Sequence, residues 1–364
     1  MSKVKALAYL NKIEPYLPGD FTVDGVSEIV KLSSNESPLG ASPNAVAAMD
    51  LIKGDLKTYP DSSASQLRVT IGEKYKLDPE RIVCESGSEQ IINLLARGYA
   101  QSDDEILYSQ YGFIAYKIAA LSVGATPVAA PEVNHTTCVD NLLSLITKRT
   151  RVVFLANPNN PTGTRIPYTE VERFRAELRD DILLVLDAAY AEYSDDEEYQ
   201  DGCVLVDSPE ANVVVLHTFS KIYALAGLRL GWCYAPSEIV EVLHNLRGVF
   251  TVSSAAQAAG IAALEDRQHI ARSVNHNSKA RAFLSNALSD ADLKVLPSSA
   301  NFICVQFDSP ESAATADLLL RQNGLIPRTL NEYGLSDCIR ITIGLMKHCE
   351  RVAELLSKAK ETAL

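Results

Sequence analysis

The chain has 364 residues, 47% of them apolar, and its 46 acidic and 34 basic side chains give a formal net charge of −12. That length is enough for one large core plus a smaller domain, while the acidic balance argues against a general nucleic-acid binder, because a phosphate backbone calls for a basic face. It contains no run of about 18 apolar residues, and Met1-Ser-Lys-Val-Lys5 lacks the apolar stretch of a secretory signal, so a cytoplasmic protein with no membrane contact is expected.

Residues 1–40 read as an N-terminal arm with a short helical opening, the breaker Tyr16-Leu-Pro-Gly19 and the polar loop Ser33-Ser-Asn-Glu-Ser-Pro-Leu-Gly40. Ser42 before Pro43 predicts a capped helix start, and Leu67, Ile71 and Tyr75 predict a helix over 65–75. Arg81 to Glu85 is a short strand that runs into Ser86-Gly-Ser-Glu89 and an apolar helix. The backbone N–H groups of Gly87, Ser88 and Glu89 are therefore a candidate anion site, with a plain helix cap as the ordinary alternative.

The next region repeats strand, loop and helix, with apolar strands at 105–108, 126–130, 151–156, 182–186 and 213–216. Continuous apolar strands separated by helical stretches such as 168–178 predict an α/β fold with a mostly parallel sheet covered on both faces. Ligands in such sheets gather at the carboxyl ends of the strands. Three of those ends are unusually polar: Asn157-Pro-Asn-Asn-Pro-Thr-Gly163, Asp187-Ala-Ala-Tyr190, and Thr218-Phe-Ser-Lys221 with Arg229 eight residues further on. A turn, a helix cap or a solvated lysine would explain any one of them, but explains poorly their occurrence together.

From Ala235 onward, helical stretches at 237–246, 255–264 and 278–288 lead to strands at 301–305 and 339–343. In the last of these Arg340 and Thr342 alternate with Ile339, Ile341 and Ile343, so the arginine faces either a cleft or solvent. We read 41–250 as the large domain and 251–364 as the small one. The seven cysteines form no CxxC pair and the six histidines no HExxH pattern, so reduced thiols and no metal centre are expected.

A lysine amine can bond reversibly to an aldehyde, and a carboxylate facing a pyridine nitrogen keeps that ring protonated. Pyridoxal 5′-phosphate calls for both, and Lys221 and Asp187 are the candidates. Asn160 and Tyr190 are placed to serve the ring oxygen, and Thr218, Ser220 and Arg229, with the Gly87 turn, to serve the phosphate.

The ordered set Asn160-Pro-Thr-Gly163, Asp187-x-x-Tyr190, Ser220-Lys221 and Arg229 resembles the fold-type I, aspartate-aminotransferase-like enzymes that use pyridoxal phosphate. Within that group, Ser34-Asn-Glu-Ser-Pro-Leu-Gly40, Tyr59-Pro-Asp61, Ser220 to Arg229, Tyr333-Gly-Leu335 and Ile339 to Gly344 resemble the histidinol-phosphate aminotransferases. The resemblance implies that Lys221 is the Schiff-base lysine and proton shuttle, that Asp187 pairs with the ring nitrogen, and that Tyr111 stacks on the ring. It further implies that Arg340 takes the substrate carboxylate end, and that Tyr16, Asn35, Asn301 and Arg328 shape the rest of the substrate site. Tyr59 would reach the cofactor phosphate of a neighbouring subunit in a homodimer, and the N-terminal arm would pack with the small domain or the partner. The implied reaction transfers an amino group from L-histidinol phosphate to 2-oxoglutarate. Aromatic amino-acid transamination and phosphoamino-acid decarboxylation stay open. The segment Ser109-Gln-Tyr111 departs from the family's usual Pro-x-Tyr, and Gly87-Ser-Glu-Gln90 departs from its usual phosphate turn.

Overall fold

The computed structural model describes residues 4–15, 22, 25–26, 28–194, 198–208 and 211–362. In chain order its strands are β1 (Val30–Lys31), β2 (Ile82–Glu85), β3 (Glu105–Ser109), β4 (Thr126–Ala130), β5 (Thr150–Ala156), β6 (Leu183–Asp187), β7 (Val213–Thr218), β8 (Gly231–Tyr234), β9 (Lys294–Val295), β10 (Phe302–Gln306), β11 (Leu325–Ile326), β12 (Arg328–Leu330) and β13 (Leu335–Thr342).

Seven strands form the central sheet in the order β2-β8-β7-β6-β5-β3-β4. β8 runs antiparallel to both of its neighbours, and the other pairs are parallel. β6 and β7 are buried along their whole length, as expected of strands covered on both faces. One apolar cluster containing Val153, Leu184, Val215 and Trp232 fills one side of the sheet, and a second containing Phe154, Val185, Val214 and Leu216 fills the other. The mostly parallel α/β sheet expected from the sequence is present.

Register sets the position of the polar strand ends. Ala156 lies beside Asp187 and Asp187 beside Leu216, so the segments that follow β5, β6 and β7 leave the sheet side by side along one edge. β8 was not anticipated. Gly-Trp-Cys-Tyr is short, and its glycine disfavours a strand, yet the chain returns directly from Arg229 to pair with β7 and β2.

The helices match the sequence reading where caps and periodicity were clear. Helix Pro43–Ile52 is capped by Ser42, whose hydroxyl accepts from Asn44 N–H, and helix Ser65–Tyr75 has the expected limits. Helix Arg267–Asp290 runs well beyond the anticipated 278–288. Helices Ile114–Ser122, Pro310–Gln322 and Met346–Thr362 were not anticipated.

The second sheet, β12-β13-β10-β9, is antiparallel, and β1 pairs in parallel with β11. Leu32 next to β1 shares a third core with Ala280, Leu284, Ile303, Val305, Ile339 and Ile341. Val252, Ala256, Ala259 and Ala263 instead pack into the core of the large sheet. On this packing we propose that the large and small domains divide within helix Arg267–Asp290, with the end of the arm belonging to the small one.

Candidate active site

The three polar strand ends open onto a single cavity of about 340 Å³. Asn160 reaches it from the β5 loop, Asp187 and Tyr190 from β6, and Thr218, Ser220, Lys221 and Arg229 from β7 and its following loop. Ser88 and Glu89, in the first turn of helix Ser88–Tyr99, close one end, and Asn35, Arg328 and Arg340 close the other.

Lys221 Nζ donates to the Ser34 carbonyl at 3.4 Å and lies 5.7 Å from the centre of the Tyr190 ring. Burial, reinforced by Arg340 and Arg229, lowers its pKa to about 8. Desolvation disfavours the ammonium form, and nearby guanidinium groups act in the same direction. The amine is thereby poised to act as a nucleophile near neutral pH.

Asp187 accepts from Tyr116 Oη at 2.7 Å and from Ala189 N–H at 3.1 Å. Its pKa is nevertheless raised, because the cost of burying the charge exceeds what those two hydrogen bonds return. A cationic N–H against this carboxylate would offset that cost. Tyr116, stacked on Phe154 with ring centres 4.7 Å apart, orients the carboxylate and was not singled out from the sequence. Its only sequence signal was an aromatic shortly after β3, in what proves to be the first turn of helix Ile114–Ser122.

The helix start at Ser88 presents N–H groups that have no partner within the helix. Gly87, at φ +92°, lies against Arg229, and a Cβ there would sit 2.9 Å from Arg229 Nη2. Gly231 supports the same turn, since its Cβ would collide with Ser88 N and lie 2.7 Å from the Gly87 carbonyl carbon. Gly231→Ala is therefore expected to push the turn out of place and to cost about 1–3 kcal/mol. Urea unfolding would read the stability loss, and a normal unfolding midpoint would contradict this packing.

At the far end, Arg340 Nη1 donates to Asn160 Oδ1, and Nη2 donates to the Ser33 carbonyl at 2.6 Å. Among the described residues its buried Nε has no hydrogen-bond partner. Arg340 therefore points into the cleft, which resolves the ambiguity left by its alternating strand. Arg328 also lines the cavity and pairs with Glu332. Asn35, at φ +58°, is locked by Thr342, and its Nδ2 donates to Tyr190 Oη at 2.8 Å.

Several expectations need correction or relocation. Tyr111 does not line the cavity, whereas Phe113 does. The chain turns at Tyr111-Gly112 after β3, sending the Tyr111 ring to stack near His135 at 5.8 Å, and Phe113 reaches the cleft as it enters helix Ile114–Ser122. Asn301 sits behind the wall of the cavity, donating from Nδ2 to the Asn35 carbonyl at 2.9 Å. Tyr59 lies outside this chain's cavity, 78% exposed and stacked on Phe250 at 4.5 Å. Tyr16 lies outside the described residues.

Together these groups suit a planar phosphorylated aldehyde: an anion cradle at one end, a desolvated amine at the middle, and a buried carboxylate whose pKa is raised by desolvation. A fold of this kind with such a cleft defines an enzyme that handles amino groups through a bound carbonyl. The chain belongs to the aminotransferases of class I and II, whose family model matches residues 27–356.

Among individual proteins, it is 48% identical over 348 residues to a histidinol-phosphate aminotransferase of Paramagnetospirillum magneticum, covering 95% of this chain and 96% of that one. The histidinol-phosphate aminotransferase of Granulibacter bethesdensis is also 48% identical, covering 98% of this chain and 96% of the relative. The crystal structure of histidinol-phosphate aminotransferase from Sinorhizobium meliloti in complex with pyridoxal-5′-phosphate superposes with a TM-score of 0.86 at 26% identity, over 93% of this chain and 92% of that one. An aromatic aminotransferase from Pyrococcus horikoshii shares the fold, with a TM-score of 0.81 at 20% identity, over 93% of this chain and 97% of that one. Among the described residues no helix is long and apolar enough to cross a membrane.

Proposed function

We propose that this chain is a pyridoxal-phosphate-dependent aminotransferase that moves the amino group of L-histidinol phosphate to 2-oxoglutarate, giving imidazole acetol phosphate and L-glutamate, as a step of histidine biosynthesis. The observation that carries this reading is the single cavity in which the Lys221 amine, the Asp187 carboxylate and the guanidinium groups of Arg229, Arg328 and Arg340 converge. Full-length similarity to the histidinol-phosphate aminotransferases supports the choice of substrate.

Pyridoxal phosphate, when bound, supplies an aldehyde that bonds reversibly to amines and a conjugated ring that accepts the electron pair of a cleaved C–H bond. The residues around it have separable tasks. Thr218, Ser220, Arg229 and the N–H groups of Gly87, Ser88 and Glu89 hold the phosphate, and Asn160 and Tyr190 hold the ring oxygen. Asp187 keeps a proton on the ring nitrogen, with Tyr116 orienting it. Phe113, which lines the cavity, would cover a ring face in place of Tyr111. Lys221 Nζ would hold the cofactor's aldehyde carbon and would serve as the base and acid for the proton at the substrate carbon. Arg340 and Arg328 receive the anionic ends of the two substrates, which are a phosphate in one half-reaction and a carboxylate in the other. Asn35 and Asn301 hold that wall in place, and Tyr16 belongs to the same end by resemblance.

Comparing kcat/KM for L-histidinol phosphate, phenylalanine and tyrosine tests the substrate. Preference for the amino acids would move the assignment to an aromatic aminotransferase, and carbon dioxide release without a keto acid would move it to a decarboxylase.

The same reading makes the active unit a cytoplasmic homodimer in which Tyr59 serves the partner's phosphate. Its exposed ring, outside its own chain's cavity, agrees with that role. Lys221→Ala and Tyr59→Ala proteins, each impaired alone, are expected to regain activity when unfolded, mixed and refolded. A mixed dimer has one site with both an intact Lys221 and an intact Tyr59. No recovery beyond the sum of the two parents would exclude sharing of Tyr59 between subunits.

A further inference from the structure

On the opposite face of β7 from Thr218, His217 enters a buried polar cluster that the proposed reaction does not use. The ring is 1% exposed and stacks on Trp232 with centres 4.3 Å apart and planes 6° apart. Its Nε2 lies 3.2 Å from Asp201 Oδ2, and Cys203 Sγ completes a group whose three donor atoms all lie within 4.8 Å of one another. Its Nδ1 lies 3.7 Å from Glu192 Oε1, which accepts from Tyr75 Oη at 2.9 Å. Despite complete burial, neither ring nitrogen finds a hydrogen bond of good geometry among the described residues, and its nearest partners are the two carboxylates at ion-pair distance.

We propose that Asp201, Cys203 and His217 form a binding site for a thiophilic divalent cation of the zinc type, separate from the catalytic cavity. One imidazole nitrogen, one thiolate and one carboxylate oxygen are a chemically suitable set, leaving a fourth position for water on the side of Asp201, whose side chain is 24% exposed. In a tetrahedral shell with bonds of about 2.0–2.3 Å, donors stand roughly 3.3–3.8 Å apart. The observed group needs only a small closure to reach that spacing.

Three features favour a cation over a simple histidine–carboxylate pair. The Nε2 contact with Asp201 is short, yet Nε2 has no hydrogen bond of good geometry, an arrangement that suits two donors facing a common centre. The Cys203 N–H donates to Asp201 Oδ1 at 2.9 Å, which turns Oδ2 toward His217. Glu192 at Nδ1 supplies the outer carboxylate that commonly fixes the orientation of a metal-bound imidazole. Gly202, between Asp201 and Cys203, has φ +93°, a left-handed conformation that glycine adopts without strain. Binding would replace the Cys203 thiol proton, released to solvent, with a metal–sulfur bond. Asp201-x-Cys203 and His217 match no common ligand spacing, which is why the sequence suggested no metal centre.

The test uses the cofactor-loaded enzyme, stripped with a chelator, incubated with zinc sulfate and desalted. One zinc ion per chain is expected by atomic emission in the wild type, and none at this site in Cys203→Ala or His217→Arg. The arginine variant keeps a cation beside Asp201 and Glu192, so it separates loss of a ligand from loss of charge. Equal zinc in all three proteins, or none in the wild type, would overturn the proposal. Should a variant fail to fold, the wild type decides alone. Cobalt(II) must then produce thiolate charge-transfer and tetrahedral visible bands in a difference spectrum against the zinc-loaded protein, and a spectrum without them overturns the site.

Discussion

Lys221→Ala is expected to lower turnover by at least about 10⁴-fold, because one amine both holds the cofactor and moves the proton at the substrate carbon. The visible absorption of lysine-bound cofactor should vanish in the same variant, and an unchanged spectrum would refute the assignment. The amine also carries a cost in the cofactor-free protein. Its pKa of about 8 lies below the ordinary 10.5, so folding opposes its protonation. The sign follows from linkage: the folded chain binds fewer protons than the unfolded chain between about pH 8 and 10.5, so stability of the cofactor-free protein rises with pH across that window. Below about pH 8 the full penalty is present. Lys221→Met should therefore stabilise the cofactor-free protein at pH 7 by on the order of 3 kcal/mol, and should flatten its stability between about pH 8 and 10.5. Urea unfolding at several pH values would measure both effects.

Asp187→Asn is expected to lower kcat by about 10²–10³-fold, the range found when one preorganised electrostatic partner is removed from a reacting centre. The substitution is close to isosteric. An amide oxygen can still accept from Ala189 N–H, as Oδ1 does now at 3.1 Å, and Tyr116 Oη at 2.7 Å can reorient toward the amide. The loss would therefore report on charge rather than on misplacement. Two further measurements separate these causes: cofactor retained after desalting, and the urea midpoint of the cofactor-free protein, which should rise because a buried charge has been removed. Activity within about threefold of the wild type would show that the carboxylate charge is not needed.

Local chemistry made much of the site legible. The runs before Asn157, Asp187 and Thr218 are continuously apolar and end abruptly in polar residues, so strand, end and candidate ligand could all be read within short windows. Parallel sheets gather such ends on one edge, and the register of Ala156, Asp187 and Leu216 does so here. Lys221, Asp187, Asn160, Tyr190, Thr218, Ser220 and Arg229 all line the cavity on that account. Tyr111 stacks near His135 while Phe113 lines the cavity, because a turn, rather than a periodic element, decides which aromatic faces the cleft.

By itself, then, the sequence determined the α/β class, the parallel strands and the residues at their ends, since each depends on patterns a few residues long. Tertiary structure decided what depends on distant partners. Asn35 is held by Thr342, 307 positions away, and Arg340 is aimed at Asn160 and Ser33. Tyr116 is bound to Asp187, and His217 is enclosed with Asp201, Cys203 and Glu192. In each case a side chain gains its role from desolvation and from groups brought up by other elements, and no local pattern along the chain records those neighbours.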